Sequence, residues 1–476
     1  MNHNRRDFIK LSGLTGASLV GTSILSSYAS GAELKDKSPQ EPITGKENKQ
    51  HKQKFNMSGY AAPKIETVRI GFIGLGRGMT HVRATSHLEG VEIKGLCDLV
   101  PGKIDRAKKK AEASGFAPDI YTGDTEAWKR MCDRDDIDLV YISTPWNMHA
   151  FMATYAMEQG KHVAIEVPAA ITIEECWQLV ETSEKTRKHC MMVENTCYDF
   201  FELLTLNMAR QGFFGDIVHC EGAYIHSLMS LTLSKDVWDM WRLKASIGPS
   251  GNLYPTHGLG PICQVMDINR GDKMDFLVSV SSKDFQMNQR VKELAATDDV
   301  YKKYVDKPFN GNMNTSTIRT TKGRTIMLQF DMTSPNLYSR IHKISGTKAA
   351  ALKYPEPARI SIGHNWVTPE EFKVLEEKYE PAIVKKVGAL AKEFGGHGGA
   401  DFLMNWRLID CLRNGLPLDQ DCYDAASWSS IVPLSKKSVA NRSSSVEVPD
   451  FTGGSWKTNQ PVDISLEKGG STKVIR

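Results

Sequence analysis

Between Val68 and Val193 the chain alternates short, continuous apolar runs with longer stretches of mixed apolar and polar positions. The runs Val68–Ile73, Val91–Cys97, Asp138–Ser143 and His162–Val167 read as buried strands. The stretches His81–Leu88, Ile104–Ser114, Trp128–Cys132 and Phe151–Gln159 read as helices. Strands alternating with helices predict a doubly wound parallel sheet, with ligands at the carboxyl ends of its strands. From about Asn195 the pattern changes. A helix over Phe201–Arg210 precedes β-prone runs at Ile217–His226, Phe276–Ser281, Thr315–Thr320, Thr325–Phe330 and Arg340–Ser345, with a turn at Thr321–Arg324. Their hairpin-like spacing predicts a mixed, largely antiparallel sheet. Late helices, Phe402–Arg413 and Cys422–Ala440, are expected to return and pack on the first domain.

The first 63 residues fit neither pattern. Asn4-Arg5-Arg6-Asp7-Phe8-Ile9-Lys10 is followed by a weakly apolar stretch, Leu11–Leu25, and then small residues up to Ala32. A basic start, a short apolar core and a small-residue zone have the layout of a signal peptide over residues 1–32, and the paired arginines resemble a twin-arginine signal. That predicts export to the periplasm or beyond. The apolar stretch is broken by Gly, Ser and Thr and falls short of the roughly 20 residues a span needs, so no transmembrane anchor is expected. Residues 33–63 are polar, rich in Lys, Gln, Glu and Pro, and read as a flexible linker.

Charge narrows the partners. The net charge is +4, without a basic stripe, which argues against nucleic acid. The nine cysteines are scattered without metal-ligand spacing and read as reduced core thiols, so no metal site is expected. Trp366, Trp406 and Trp428 read as core residues before carbohydrate platforms. The sequence leaves a homo-oligomer open.

The candidate chemistry begins at Gly74-Leu75-Gly76-Arg77-Gly78-Met79, between a strand and a helix. Gly74 suits a tight turn, and Gly76 lets a pyrophosphate approach the backbone and the following helix N-terminus. The third glycine of the fingerprint would fall at Met79, so the match is imperfect. Asp98 ends the next strand, at the place where an acid binds ribose hydroxyls and repels a 2′-phosphate. No arginine follows it, which favours NAD over NADP. The first domain, residues 64–194, is therefore expected to be a Rossmann domain, with an α+β domain over residues 195–476. A twin-arginine route, which carries folded proteins, suits a protein that must take up its cofactor before export.

Gly74-x-Gly76, Asp98, Ser143-Thr144-Pro145 with His149, and Glu166-Val167-Pro168 together resemble the glucose–fructose and inositol oxidoreductase superfamily. Its usual Glu-Lys-Pro carries a lysine near the hydride-transfer site. Val167 stands there in this chain, which speaks against a plain sugar dehydrogenase. Val193–Tyr198, Glu221–His226, Trp241-Arg242, Tyr254–Pro261, Met266–Gly271 and Gly395–Gly399 resemble one branch, glycoside hydrolase family 109, the NAD-dependent α-N-acetylgalactosaminidases. The resemblance covers the chain after the linker and implies an enzyme acting on glycans with terminal α-linked N-acetylgalactosamine. It places Gly76, Arg77, Asp98, Trp146, Asn147, Met148, His149, Glu166, Val167 and Asn195 around NAD. It places Tyr224, Arg242, Tyr254, Pro255, Thr256, His257 and Tyr338 around the sugar, with His257 and Tyr224 as acid/base groups.

Ordinary glycosidases work with two carboxylates, and no convincing pair stands out in this sequence. A resident NAD suggests another route: transient oxidation at C3, proton removal at C2, loss of the aglycone, addition of water and re-reduction. Histidine and tyrosine can move the protons. His257, between Pro255 and Gly258, reads as a turn residue that is either catalytic or structural. Tyr224 and His226 alternate on one strand and share a face. His149 either fixes a loop or touches cofactor, Glu194 either orients a base or ends a strand, and His397 lies among glycines near substrate. Two other functions fit the same motifs: a net NAD-dependent sugar or cyclitol oxidoreductase, and a non-catalytic module that binds glycan or NAD.

Overall fold

A computed structural model describes residues 51–475 of the chain. The signal-peptide reading and the first part of the linker lie outside these residues.

Six parallel strands form the first sheet: β1 (Val68–Ile73), β2 (Val91–Cys97), β3 (Asp119–Tyr121), β4 (Leu139–Ile142), β5 (His162–Ile165) and β6 (Cys190–Met192), in the order β3-β2-β1-β4-β5-β6. Every residue of β4 and β5 is buried, as a parallel sheet covered by helices on both faces requires. The order reverses between β1 and β4, which opens a crevice at their carboxyl ends.

Nine strands form the second sheet: β7 (Ile217–Ile225), β8 (Met274–Ser281), β9 (Asn314–Thr320), β10 (Thr325–Asp331), β11 (Lys343–Gly346), β12 (Ala349–Leu352), β13 (Arg359–Ile362), β14 (Asn365–Trp366) and β15 (Val446–Glu447). The order is β14-β13-β12-β11-β7-β10-β9-β8-β15, and only the β7–β10 pair is parallel. This is the mixed, largely antiparallel sheet that the hairpin spacing predicts.

Several expectations change in detail. The helix expected from Phe151 begins at Trp146, after Pro145 at its N-cap. The strand expected from Arg340 begins at Lys343, because Ile341 and His342 have φ of 59° and 45° and cannot join a ladder. The single late helix Cys422–Ala440 is two, Cys422–Ser429 and Ile431–Ala440. Pro433 lacks an amide proton, and its ring would meet the Ser429 carbonyl of a continuous helix.

The flexible-linker reading fails for residues 51–63, which are docked. His51 Nε2 lies 3.0 Å from Glu184 Oε1, and Gln53 Nε2 donates to Tyr423 Oη at 2.7 Å. Met57 and Ala62, two of the few apolar residues in the segment, are both buried, so polar composition did not prevent ordering.

One continuous apolar core spans both sheets. Trp406 and Trp428 lie fully inside it, whereas Trp366 is half exposed on the edge strand β14. All nine cysteines are buried and unpaired. The buried helix Ala400–Asn414 packs on the helix Met79–Thr85, so the late chain does return to the first sheet. A separate small core gathers Leu233, Met240, Leu243, Met287, Val291, Tyr301, Tyr304 and Phe309. Among the described residues no helix is long and apolar enough to cross a membrane.

Candidate active site

The glycine turn is sterically determined. Gly74 has φ of +84°, and a Cβ on it would lie 2.4 Å from the Ser143 carbonyl oxygen. Gly78 takes the part expected at Met79: a Cβ there would lie 2.1 Å from the Gly74 oxygen, so only glycine lets the helix start this close to the turn. At Gly76 a Cβ would meet nothing but the Lys103 side chain, and this open cradle is what a pyrophosphate needs. Asp98 Oδ2 accepts from the Leu75 amide at 2.7 Å and Oδ1 from the Val100 amide at 2.8 Å. These bonds fix the carboxylate at the mouth of the crevice.

The crevice has a volume of about 670 Å³. Gly74, Gly76, Arg77, Asp98, Trp146, Met148, His149, Glu166 and Val167 line it, joined by Trp238, Trp241, Arg242 and Tyr254 from the second domain. Two expected cofactor residues lie elsewhere. Trp146 and His149 are three apart on one helical face and turn inward, which leaves Asn147 exposed on the other side. Asn195 is buried outside the lining; its Nδ2 donates to Asp401 Oδ1 at 2.8 Å and its Oδ1 has no partner. His149 fixes two loops as well as lining the crevice: its ring nitrogens lie 2.8 Å from the carbonyl oxygens of Pro168 and Thr144. The open cradle at Gly76 and the fixed Asp98 fit a dinucleotide.

Arg77 does not point a free charge into this space. Its Nε donates to Glu166 Oε1 at 2.9 Å and an Nη donates to Asp401 Oδ1 at 2.9 Å. His81 Nε2 shares Glu166 Oε1 at 3.0 Å. Burial alone would raise the Glu166 carboxyl, but Arg77 and His81 pull it down to about 2. Burial likewise works against the Asp401 charge, yet His397 and Arg77 hold that carboxyl far below the ordinary range.

The expected sugar residues meet beside the crevice. Gly222 on β7 and Gly258 in the helix Thr256–Val265 lie in direct backbone contact: a Cβ on Gly258 would sit 2.4 Å from the Ala223 nitrogen. Without side chains between them, the helix lies on the strand and brings His257 next to Tyr224, with ring centroids 5.1 Å apart. His257 is therefore in the first turn of a helix, not in a free turn. Its Nδ1 lies 2.6 Å from Glu194 Oε1, and Glu194 is completely buried. Burial opposes the Glu194 charge, but His257, together with the Thr256 and Thr196 hydroxyls, offsets it and the carboxyl stays below its usual range. Nδ1–H thus donates to the carboxylate and leaves Nε2 free to exchange a proton.

Tyr224 Oη and His226 Nδ1 lie 3.1 Å apart, and burial raises the Tyr224 phenol, which stays protonated at neutral pH. The Tyr254 ring lies tilted against those of Tyr224 and Trp146, with centroids 4.7 and 5.7 Å away, and so joins the sugar cluster to the crevice. Tyr338 stands at the rim, 39% exposed and 4.9 Å from the His226 ring. The Arg242 guanidinium lies 4.5 Å above the Trp241 ring. Pro255 and Thr256 are buried behind these groups and wall the site.

A second histidine–carboxylate pair was not anticipated. His397 Nδ1 lies 2.7 Å from Asp401 Oδ2, so Asp401 connects this half-exposed histidine to Arg77 and Asn195. Asp401 carries no motif of its own. Its spacing of four from His397 at the start of a helix was the one available signal.

Comparison with known proteins matches both domains that build this site. Residues 68–194 match the family described as oxidoreductase family, NAD-binding Rossmann fold, and residues 198–458 match the glycosyl hydrolase 109 C-terminal domain. The chain is 50% identical over 410 residues to an α-N-acetylgalactosaminidase of Bacteroides fragilis, covering 84% of this chain and 95% of that one. It is 43% identical over 460 residues to glycosyl hydrolase family 109 protein 1 of Bacteroides thetaiotaomicron, covering 93% and 97%. Among solved structures, levoglucosan dehydrogenase in complex with NADH superposes over 81% of this chain and all of its own, with a TM-score of 0.60 at 19% identity. At that identity the likeness speaks for the fold alone.

Proposed function

The chain belongs to glycosyl hydrolase family 109, and from that premise we propose that it hydrolyses terminal α-linked N-acetylgalactosamine from glycans with a resident NAD. One observation carries the chemical part of the reading. Three carboxylates bonded to the expected site residues, Glu166, Glu194 and Asp401, are each paired with a cation or histidine and held below their ordinary range. None is available as a protonated acid near neutral pH, so the usual pair of carboxylates has no candidates among them. Proton transfer falls to His257 and His397, with Tyr224 as a hydrogen-bond donor.

The glycine turn and the helix after it would hold the pyrophosphate, Asp98 the ribose, and the Trp146–Val167–Tyr254 end of the crevice the nicotinamide. When bound, NAD supplies reversible hydride transfer at C3 of the sugar, which acidifies the C2 hydrogen and lets the aglycone leave C1 before water adds back. In that scheme His257 Nε2, backed by Glu194, takes and returns the C2 proton. Tyr224 orients the sugar through its hydroxyl, and His397, with 55% of its side chain exposed, serves the leaving group and the entering water. Val167 leaves the ring-side position without an ammonium, which disfavours the alternative of a net sugar oxidoreductase.

The test is turnover of an aryl α-N-acetylgalactosaminide with no added NAD, in deuterated water. Deuterium at C2 of the released sugar is expected; release without exchange removes the elimination route, and accumulation of reduced cofactor points to the oxidoreductase. His257→Ala should lower kcat roughly 100-fold or more, whereas a non-catalytic binding module would be indifferent to it. We also propose export through the twin-arginine route. Replacing Arg5 and Arg6 by lysine should keep the chain in the cytoplasm, as fractionation would show.

A further inference from the structure

The phosphate-binding half of the crevice has an electrostatic deficit. Asp98 and Glu166 line it, while Arg77, the cation in the glycine turn, is held between Glu166 and Asp401, which lies outside the lining. A bound diphosphate adds further negative charge. Three Lys or Arg side chains line the crevice: Arg77, Lys103 and Arg242. Arg242 lies over Trp241 at the sugar end. That leaves Lys103.

Lys103 occupies the first turn of the helix Pro101–Ala113, behind Val100 at the N-cap and Pro101. A cation there opposes the helix dipole, and local stability would favour an acid. The first turn carries no acid, and Lys103 has no ion-pair partner among the described residues. Its side chain arches instead over the glycine turn, with Nζ 3.6 Å from where a Gly76 Cβ would stand. Gly76 is the exposed glycine at which a pyrophosphate can reach the backbone. An unpaired lysine, placed against its own helix dipole and leaning over that cradle, has a diphosphate as its natural counterion.

The geometry points to Lys103 as the cation that binds the dinucleotide's diphosphate. This assignment rests on the NAD reading above and gives Arg77 a different task, the bracing of Glu166 and Asp401. A 2′-phosphate is the competing ligand for a lysine this close to Asp98, and the experiment separates the two.

Full-length protein purified as wild type, Lys103→Ala and Lys103→Arg is denatured and the NAD released per chain is counted. Nucleotide-depleted samples of each are then titrated with ADP, adenosine and 2′-AMP. Lys103→Ala should retain much less NAD and bind ADP about tenfold more weakly or worse. Adenosine should bind all three proteins alike, and Lys103→Arg should recover most of the ADP affinity. Equal ADP affinity in wild type and Lys103→Ala overturns the assignment, as does a loss confined to 2′-AMP. If the wild type itself binds neither NAD nor ADP, the cofactor reading falls with it, an outcome distinguishable because it does not depend on residue 103. Equal melting temperatures of the depleted proteins show that the alanine variant is folded.

Discussion

Glu194 determines what His257 can do. A buried carboxylate 2.6 Å from Nδ1 selects the tautomer with a free Nε2. Glu194→Gln keeps the shape but removes the charge. It should lower kcat about 10- to 100-fold, more than it raises KM, as steady-state kinetics would show. The residue-scale electrostatics also make a stability prediction. Glu166 has a folded pKa of about 2 against an ordinary value of 4.5. A depressed carboxylate stabilises the fold fully above its unfolded pKa, and the contribution is lost as pH falls from about 4.5 towards 2. The shift corresponds to a few kcal/mol, on the order of 3. Glu166→Gln should therefore be less stable than wild type at pH 6, and the gap should close on acidification, as denaturant melts at several pH values would show.

Elements carry the site by their contacts. The helix Thr256–Val265 reaches His257 to the Tyr224 ring because Gly222 and Gly258 remove the side chains that would separate helix and strand. Gly258→Ala would place a methyl 2.4 Å from the Ala223 nitrogen, and backbone cannot yield cheaply. A loss of about 1–3 kcal/mol is expected from overpacking, with activity falling alongside the melting temperature. A second element effect comes from the segment 229–245, which belongs to the small separate core and faces the crevice with Leu231 and Trp238, each 41% exposed. Asp239 and Met240 take positive φ there, 51° and 47°, a strained turn that aims Trp238 at the opening. Nucleotide binding should cover this ring and change its emission. Trp238→Phe should abolish most of that fluorescence change.

At the scale of the whole molecule, one core runs through both sheets, and the helix Ala400–Asn414 ties them together with Asp401 at its start. Cofactor and fold are then thermodynamically linked. Removing a ligand held at 100 times its Kd should lower unfolding free energy by about 2.7 kcal/mol, seen as a drop in melting temperature that added NAD reverses. What the sequence determined by itself was local. Strand–helix alternation, the glycine turn and Asp98 depend on neighbours a few to some twenty residues apart, so the Rossmann sheet and its ligand edge were legible from period and spacing. The order of the second sheet, the docking of residues 51–63, the outward turn of Asn147, the pairing of Glu194 with His257 and the whole role of Asp401 were decided by tertiary structure. Glu194 stands 63 residues from His257 and Asp401 324 residues from Arg77, and no periodicity records which buried charge will face which. Motifs can nominate a histidine or an arginine; only packing fixes whether its charge is free, as at Lys103, or already spent, as at Arg77.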